Sequence, residues 1–435
     1  MDSSPPLRTV RIETMNAKGQ GVGTSQTGGR LVVPGAIPGE CVEVIKRRKR
    51  CPVLRILEPS PHRVAPRCIH FGQCGGCAWQ HVEYEHQLHL KRETVLTEFR
   101  QKGIDLSHLS VHIEPSEPFY YRHRMDFVWW RDGRFGLRRR DDWRSIVNLD
   151  ECHLLPAHVF QIAAEVHRRV QAYGLPLWDS LQKRPGLRYL VIRTAHFTGE
   201  TMLAFVSDAL PLPPALWEGL DGVTSVYQLL NENLESDLSD GIPHHLAGNE
   251  TIQEEMLSRR FHIGPNTFFQ PNPAMAACLV DCLRGWMRLG EKPRKKMMDL
   301  YCGVGLFSIL LGDLFEEVLG VEVSEPSICL AIRNVGKGKY RFLHSDAASL
   351  PPEVWNDVDV LLVDPPRDGL HPKALQAVRA AAPAEVLYVS CNPRRGIEDI
   401  SALLNAFTIR QVQLFDQFPE TPHVEMAVHL VRREA

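Results

Sequence analysis

The sequence predicts a multidomain protein of mixed α/β and β structure, and three observations carry that prediction. The 435 residues exceed the length of one ordinary domain. Residues 1–62 read as short strands separated by glycine and proline, a pattern typical of a small β-barrel. From residue 261 onward, strands alternate with helical stretches, which is typical of a doubly wound parallel sheet. We therefore expect an N-terminal barrel, a central α+β region over 63–260 and a C-terminal α/β domain over 261–435.

Composition excludes several classes of protein. With 44% hydrophobic and 23% charged residues, the chain can build packed cores, which excludes global disorder. The apolar runs stay below the roughly 18 residues that a membrane span needs, and MDSSPPLRTV has no secretion-signal pattern, so we expect a cytoplasmic protein without membrane contact. Eleven cysteines in such a chain favour reduced thiols, metal ligands or catalysis over disulfides. The sequence indicates no obligate protein partner.

Positive charge is concentrated in the N-terminal segment. Residues 1–67 carry 12 Lys and Arg against 5 Asp and Glu. The strands predicted there are RTVRIETM, GRLVVPGA, ECVEVIKR and CPVLRILE. A five-stranded barrel of this kind often holds nucleic acid on its face. The basic run from Lys46 to Arg50 attracts polyanions by counterion release, although a solvated hairpin tip has the same composition.

The central region mixes strands and helices. We predict an antiparallel meander of MDFVWWR, RFGLRRR and SIVNLD, a helix over 156–173, and a helical segment over 80–105 that packs on the C-terminal domain. Aromatic and arginine residues interleave here, as suits stacking of unpaired bases and clamping of phosphates. They are Phe119, Tyr120, Tyr121, Arg122, Trp129, Trp130, Arg138, Arg139 and Arg140. Alternatively, one of the two tryptophans is a core residue of a strand.

Three cysteines form a compact cluster. Cys68, Cys74 and Cys77 lie in CIHFGQCGGCAWQH, and the glycines between the last two give the backbone freedom to aim thiolates at one centre. A metal site with three such ligands needs a fourth, and Cys152 in LDECHLLP is the natural candidate. Four thiolates suit either tetrahedral zinc or a cubane iron–sulfur cluster, and spacing does not separate the two.

A nucleotide pocket is predicted at the first strands of the C-terminal domain. In MMDLYCGVGLFSILL, Gly303 and Gly305 let a ligand approach the backbone at a strand end. Glu322 ends the second strand, where a carboxylate can accept both ribose hydroxyls, and Asp346 ends the third, facing an adenine edge. The missing third glycine disfavours a dinucleotide and favours S-adenosylmethionine. Alternatively, Glu322 belongs to a helix N-terminus.

Three reactive side chains are predicted at neighbouring strand ends. Asp364 follows a buried strand in LLVDPPRDGL, Cys391 follows the next in EVLYVSCNPRRG, and Glu425 begins the last strand in FPETPHVEMAVHL. Each alone has an ordinary structural explanation. Together they match methylation of uracil C5, in which a thiolate adds to C6, C5 takes the methyl group, and a carboxylate removes the C5 proton.

Over nearly its whole length the sequence resembles the S-adenosylmethionine-dependent RNA 5-methyluridine methyltransferases, specifically the 23S rRNA (uracil-5-)-methyltransferase branch. CIHFGQCGGC with Cys152, DPPRDGL, SCNP and FPETPHVE are similar to family signatures in order and spacing. The resemblance implies an OB-like TRAM barrel, a four-cysteine [4Fe–4S] site, and a Rossmann-like class I methyltransferase domain. It implies Cys391 as nucleophile and Glu425 as base. Residues implied to contact the cofactor are Gln270, Tyr301, Glu322 and Asp364, with Asp346 at a less uniform position.

The sequence departs from the family pattern at three positions. Leu306 stands where relatives have a polar residue, so a cofactor contact there is lost or made by backbone. Arg395 replaces a small hydroxyl residue, and Glu420 replaces Gln, His or Tyr. None of these changes removes a reacting group. They bear on how the RNA is seated and therefore on which RNA is the substrate.

The resemblance implies an enzyme that forms 5-methyluridine in 23S rRNA, with the target base flipped out of its stack. The first alternative keeps the chemistry and moves it to the T-loop uridine of tRNA. A radical enzyme using the same cofactor would leave one cluster iron open, but a fourth cysteine is available here. A cytosine-C5 methyltransferase would place its cysteine next to the Asp-Pro loop. A non-catalytic RNA-binding protein is disfavoured because Cys391, Glu425 and Asp364 are all present.

Overall fold

The computed structural model describes residues 7–26, 28–45, 51–142, 144–179, 181–233, 238–288, 294–336 and 338–433. The predicted basic run from Lys46 to Arg50 lies outside these residues. Across the described ranges, no helix combines the length and apolarity needed to cross a bilayer.

The N-terminal strands form one antiparallel sheet in the order β3-β2-β1-β4-β5. Its strands are β1 (Leu7–Met15), β2 (Gly21–Ser25), β3 (Arg30–Val33), β4 (Cys41–Ile45) and β5 (Val53–Glu58). Alternate residues such as Val10, Ile12, Val42 and Val44 are buried, as half-buried strands require. Within the described residues, β3 and β5 are the two edges of the sheet and are not paired with each other. The predicted closure into a barrel is therefore not confirmed.

The central region is built on a second sheet in the order β13-β12-β11-β10-β7-β8-β9. Its strands are β7 (Arg124–Trp129), β8 (Phe135–Arg138), β9 (Ile146–Asn148), β10 (Tyr189–Thr194), β11 (Thr201–Ser207), β12 (Val223–Leu230) and β13 (Ile242–Gly248). The meander β7-β8-β9 agrees with the sequence prediction, and β10 and β11 pair as an antiparallel hairpin beside it. Helix α2 (Ala157–Ala172) buries its apolar stripe against this sheet.

The C-terminal sheet has the order β18-β17-β16-β19-β20-β22-β21-β6. Its strands are β6 (His112–Glu114), β16 (Lys296–Leu300), β17 (Glu317–Glu322), β18 (Tyr340–His344), β19 (Val360–Val363), β20 (Glu385–Ser390), β21 (Phe407–Phe415) and β22 (Glu425–Arg432). The neighbours from β18 to β20 run parallel, whereas β22 pairs antiparallel with β20 and β21. The strand–helix alternation thus gives the doubly wound parallel sheet that the sequence predicts.

Helices cover both faces of the C-terminal sheet. They are α3 (Pro273–Arg288), α4 (Leu306–Leu311), α5 (Glu325–Val335), α6 (Pro372–Ala381) and α7 (Pro393–Leu403). Helix α1 (Tyr84–Gln101) comes from the central region, but its Val95 and Phe99 lie in the same apolar cluster as α6 and α7. The hairpin of β14 (Ile252–Met256) and β15 (Arg259–Ile263) links the central and C-terminal regions, and the expected boundary at residue 260 falls within β15.

Candidate active site and nucleic-acid interface

The predicted reactive residues meet at one edge of the C-terminal sheet. Tyr301 follows β16, Glu322 ends β17, Asp364 follows β19 and Cys391 follows β20. Because these strands are parallel, their carboxyl ends lie side by side. Strand β22 runs the opposite way, and Met426 pairs with Ser390, so its first residue, Glu425, is brought to the same edge. Residues far apart in sequence therefore converge on one site.

Cys391 lines a pocket, here called the thiol pocket, between the end of β20 and the start of α7. Burial is the main cause that raises the pKa of its thiol to about 11, and the nearby Glu425 and Asp364 carboxyls contribute to the same rise. The Arg367 guanidinium, which hydrogen-bonds to the sulfur, acts in the opposite direction. The Asn392 side chain donates to the Arg367 carbonyl at 2.8 Å and so ties the loops of SCNP and DPPR together.

Two buried carboxyl groups stand beside this thiol. Burial raises the pKa of Glu425 well above its ordinary value, with a further contribution from Asp364 and an opposing one from Arg367. Burial also raises the pKa of Asp364 to about 7, although Gln270 Nε2 donates to its Oδ2 at 3.0 Å. Two neighbouring carboxyls in a dry site do not both ionise readily. Each carboxyl therefore makes ionisation of the other less favourable.

A second cavity, here called the cofactor cavity, lies at the end of β16. Its lining includes Gln270, Tyr301, Gly303 and Asp364, four of the residues predicted to bind the cofactor. Tyr301 has a φ of 65°, an uncommon conformation for a residue with a side chain, and it turns the chain sharply after the strand. No atom lies within 4 Å of the position that a Cβ on Gly303 would take. The backbone there is open to a ligand.

Glu322 is held by backbone amides. Its Oε1 accepts hydrogen bonds from Val323 N and Ser324 N, both at 2.8 Å, and its Oε2 accepts one from Gly303 N at 3.1 Å. Ser324 is the N-cap of α5, so Glu322 does belong to a helix N-terminus, and it also faces the glycine turn, whereas its predicted contact with the ribose stays a prediction. A carboxylate has more lone pairs than these three bonds use, which leaves room for ribose hydroxyls.

Gly305 and Asp346 do not line the cofactor cavity. A Cβ on Gly305 would meet Ile309, Phe342 and Ala331 at 3.2–3.4 Å, so this glycine serves the packing of α4 and α5 on the sheet. Asp346 is exposed, and its Oδ1 accepts a hydrogen bond from Ala348 N at 2.9 Å. Its predicted contact with adenine remains a prediction.

Three residues of the site escaped the sequence analysis. Arg367 lies inside the DPPRDGL motif, which was a usable signal. Gln417 Nε2 donates to Gln270 Oε1 at 3.0 Å and thereby orients the amide that binds Asp364. Asp299 is fully buried, and its Oδ2 accepts from Ser308 N at 2.9 Å and Oγ at 2.6 Å. Gln417 acts through a partner distant in sequence, which no local pattern reveals, whereas Asp299 and its partner Ser308 lie in the same segment, MMDLYCGVGLFSILL.

The four clustered cysteines line one small cavity, here called the cysteine pocket. Cys68, Cys74 and Cys77 approach it from one loop and Cys152 from another. Burial raises the pKa of Cys74 to about 11 and of Cys77 to about 12. Among the residues that the structure describes, no group of three or more His, Cys, Asp or Glu side chains is placed so that it could hold a metal ion, so the predicted four-cysteine site is not confirmed. The four sulfurs do share the lining of one pocket, and thiolates are the ligands that thiophilic metals prefer.

A large cleft of about 800 Å³, here called the basic cleft, lies between the three sheets. Arg367, Pro422 and His423 line both this cleft and the thiol pocket, so the cleft leads to Cys391. Within the described lining, Asp126 is the single carboxylate. The cations of the lining are Lys18, Arg122, Arg124, Arg138, Arg139, Arg140, Arg193 and Arg367. Such a charge balance favours a polyanion.

The aromatic residues predicted to stack bases have other positions. Trp129 is fully buried and its Nε1 donates to His167 Nδ1 at 3.1 Å, so it is a core residue of β7. Trp130 packs partly against the core, and Tyr121 is buried. None of these three lines the basic cleft, and neither Phe119 nor Tyr120 does, so their predicted role in stacking bases stays a prediction. The aromatic residues that do line it are Tyr189, Phe268, Phe269 and Phe418.

Arg395 and Glu420, two of the residues that depart from the family pattern, support loops around the site. Arg395 Nε donates to Asp368 O at 2.7 Å and so buttresses the loop that carries Arg367. Glu420 is buried, and Gln87 Nε2 donates to its Oε2 at 3.1 Å. Leu306 lines the cofactor cavity with an apolar side chain.

Comparison with known proteins gives one consistent result. A model of the tRNA (uracil-5-)-methyltransferase family matches residues 248–344 and 355–433. A tRNA (uracil(54)-C(5))-methyltransferase of Pyrococcus horikoshii is 33% identical over 93% of this chain and 96% of its own length. An uncharacterised RNA methyltransferase of Nanoarchaeum equitans is 32% identical over 98% of this chain and 93% of its own. The crystal structure of Pyrococcus abyssi tRNA (uracil-54, C5)-methyltransferase with S-adenosyl-L-homocysteine superposes with a TM-score of 0.80 at 31% identity, covering 98% of this chain and 100% of that one.

Proposed function

Because this chain belongs to the tRNA (uracil-5-)-methyltransferase family, and is accordingly an S-adenosylmethionine-dependent RNA uracil-C5 methyltransferase, we propose that it methylates the T-loop uridine of tRNA with Cys391 as nucleophile and Glu425 as base. The observation that carries this proposal is the convergence of one thiol, two coupled carboxyls and one guanidinium beside the cofactor cavity. These are the groups that the reaction requires.

The thiolate of Cys391 adds to C6 of the uracil, forming a carbon–sulfur bond while the C5–C6 π electrons move onto C5 and O4 as an enolate. The enolate carbon C5 then bonds to the methyl carbon. The Glu425 carboxylate takes the C5 proton, the released electron pair restores the C5–C6 double bond, and the thiolate leaves with the electrons of its bond to C6. Arg367 beside the sulfur favours the thiolate both before attack and on departure.

S-adenosylmethionine supplies an electrophilic methyl group on a sulfonium centre and departs as the neutral thioether. The residues that would hold it are Gln270, Tyr301 and Asp364 in the cofactor cavity, with the backbone at Gly303 open to it and Glu322 poised for the ribose. The Gln417–Gln270–Asp364 hydrogen-bond chain fixes the orientation of this wall. Such preorganisation places the methyl donor and the uracil ring in reacting range without reorganisation at each turnover.

The basic cleft is where we place the RNA. A uracil C5 inside a helical stack is out of reach, so the target nucleotide must swing out to enter the thiol pocket. The cations of the cleft lie along the approach to Cys391, where they can neutralise the phosphates that flank the flipped base. Phe268, of which 62% is exposed at the wall of the cleft, offers an apolar surface to a base.

For the choice of RNA, the named relatives support tRNA. The Pyrococcus enzymes that align over nearly the whole chain carry tRNA uracil-54 in their names. The resemblance seen in the sequence favours 23S rRNA, which is therefore kept as the second candidate.

Unmodified tRNA should be methylated at least about tenfold faster than unmodified 23S rRNA at equal RNA concentration. The two transcripts, each made without modification, are incubated with the protein and S-adenosylmethionine labelled in its methyl group. A tRNA in which the T-loop uridine is replaced by cytidine is the matched control and should take no label. Preferential labelling of the 23S transcript would instead assign the enzyme to ribosomal RNA.

We further propose that the cysteine pocket holds a [4Fe–4S] cluster on Cys68, Cys74, Cys77 and Cys152. The shared pocket, the four sulfurs and the hydrogen bond from Gly76 N to Cys74 Sγ at 3.4 Å support it. The methylation just described has no redox step, so a cluster here would organise the central region rather than transfer electrons.

Protein purified without oxygen is expected to be brown and to contain about four irons per chain, as four thiolates around a cubane predict. Iron and zinc are measured together with the visible spectrum. Cys152→Ser should lose most of the iron, whereas Cys278→Ser, at an exposed cysteine outside the pocket, should keep it. A colourless protein with one zinc per chain would contradict the cluster and leave a structural zinc site in its place.

A further inference from the structure

Helix α1 presents one polar face to the loop that leads into Glu425. Tyr84, Gln87 and Lys91 are spaced by three and four residues, which puts them on the same side of the helix. Gln87 and Lys91 are buried, and the helix comes from outside the C-terminal sheet. The loop between β21 and β22, here called the 416–424 loop, lies against this face.

The first contact between helix α1 and the 416–424 loop is a buried ion pair. Lys91 Nζ bonds to Asp416 Oδ1, and both side chains have no exposed surface. Lys91 Nζ also donates to Phe418 O at 3.1 Å, while Tyr84 OH donates to Asp416 Oδ2 at 2.9 Å. A charge pair removed from water is costly unless its partners are fixed in place. This pair therefore locks the start of the loop to the helix in one register.

The second contact holds Glu420, in the middle of the loop. The Gln87 amide donates to Glu420 Oε2 and accepts from Glu420 N, both at 3.1 Å. Glu420 O accepts from Ala78 N at 2.8 Å and Trp79 N at 2.9 Å, which lie directly after the cysteine loop. Glu420 has a φ of 63°, an uncommon conformation that persists where the surroundings dictate it.

These contacts hold the part of the 416–424 loop that precedes Glu425. Tyr121 OH donates to Pro419 O at 3.1 Å, and Glu425 follows the loop directly at the start of β22. Farther along α1, Thr94, Val95 and Glu98 line the thiol pocket itself. One helix thus forms a wall of the pocket for Cys391 and fastens the loop that delivers Glu425 to it.

We propose that Lys91 is a positioning residue for the proton-removal step: through Asp416 and Phe418 it sets the 416–424 loop, and with it the carboxylate of Glu425, against the uracil ring. This inference rests on the proposed function, in which Glu425 takes the C5 proton. Lys91 is buried and lines neither the basic cleft, the thiol pocket nor the cofactor cavity, and we expect it to act on the second half of the reaction. Cys391 itself is carried by a different strand, β20, although Pro422, His423 and Val424 of the 416–424 loop also line its pocket.

The test is the double variant Lys91→Met with Asp416→Asn, which removes both charges and leaves no unpaired ion in the core. In single-turnover assays with unmodified tRNA, covalent adduct formation should stay within about threefold of the native rate. Release of methylated RNA from the adduct should slow at least about tenfold. Thermal unfolding is followed in parallel to check that the variant is folded.

The matched control is Lys102→Met, which removes the half-exposed ion pair that the residue at the C-terminal end of α1 makes at 3.3 Å with Glu398 of α7, and it should leave both steps unchanged. Tyr121→Phe, a milder change that removes the bond to Pro419 O, should slow release about threefold and covers the case in which the double variant does not fold. Release at the native rate in a folded variant, or equal slowing of both steps, would overturn the proposal. If the native protein forms no adduct at all, the proposed function fails instead.

Discussion

Replacement of Cys391 by alanine is expected to abolish covalent capture of RNA that carries 5-fluorouridine at the target and to lower methyl transfer by about 10⁴-fold or more. Without the sulfur, C6 receives no nucleophile, and C5 remains too poor in electrons to attack a methyl group. With the native protein, C5 carries fluorine in place of the proton that the reaction removes. The base cannot take up this fluorine, so the methylated adduct accumulates. The adduct is seen as a protein–RNA band that survives denaturation.

Cys278→Ala is the matched control for this experiment, because Cys278 is an exposed cysteine on α3 that lines neither the thiol pocket nor the cysteine pocket. That variant should form the adduct as the native protein does. An adduct of equal yield in Cys391→Ala would place the nucleophile elsewhere and remove the main support of the mechanism.

The same assay has an expected pH dependence. Burial and the neighbouring carboxyls raise the pKa of the Cys391 thiol to about 11, so the thiol is protonated at neutral pH. Below that pKa, the thiolate fraction rises about tenfold for each pH unit. The rate of adduct formation should therefore increase from pH 7 to pH 9. A rate that is flat over this interval would mean that RNA binding itself lowers the thiol pKa.

The sequence reveals those parts of the site that local rules govern. Cys391 and Asp364 each follow an apolar run bounded by prolines, which marks the end of a buried strand. Parallel strands bring such ends together, and the structure places both residues beside Glu425. The glycine turn at Gly303 is likewise a local signal. For the same reason, the strands and helices of the C-terminal domain were predictable in type and order.

The remaining parts depend on contacts between distant segments. Nothing in the run around Lys91 indicates that this lysine will be buried against Asp416, more than 300 residues along the chain. Strand β6 joins the edge of the C-terminal sheet through three residues only. Trp129 was open to two interpretations because a strand alternates its faces, and which face is the core depends on how the sheet packs. Tertiary packing determines the burial of Lys91, the pairing of β6 and the face of the strand on which Trp129 is buried.

In the proposed mechanism, Cys391 and the two neighbouring carboxyls affect one another's ionisation. Ionised Glu425 opposes ionisation of Cys391, and Asp364 opposes both. The Arg367 guanidinium acts in the opposite direction on the thiol and on Glu425. Once the charge leaves the sulfur on bond formation to C6, ionisation of Glu425 would become easier, so the proposed base would become available at the stage of the reaction that needs it.

Replacement of Glu425 by glutamine is expected to trap ordinary uridine RNA on the protein and to slow product release by about 10²–10⁴-fold, the usual contribution of a positioned general base. Glutamine keeps the shape of the side chain but accepts no proton. The variant also loses a negative charge beside Cys391, which lowers the thiol pKa, so attack on C6 should proceed at the native rate or faster.

The trapped species is measured on a denaturing gel with unmodified RNA that contains no fluorine, and mass spectrometry should find one extra methyl group on its uracil. Glu98 also lines the thiol pocket, so Glu98→Gln is the informative comparison. Trapping by Glu98→Gln and normal turnover by Glu425→Gln would move the base to helix α1. If only Glu425→Gln traps the RNA, the C5 proton is removed by Glu425 at the start of β22. Glu98 on α1 is then not the base, because as the base it would have completed the reaction in the Glu425→Gln variant.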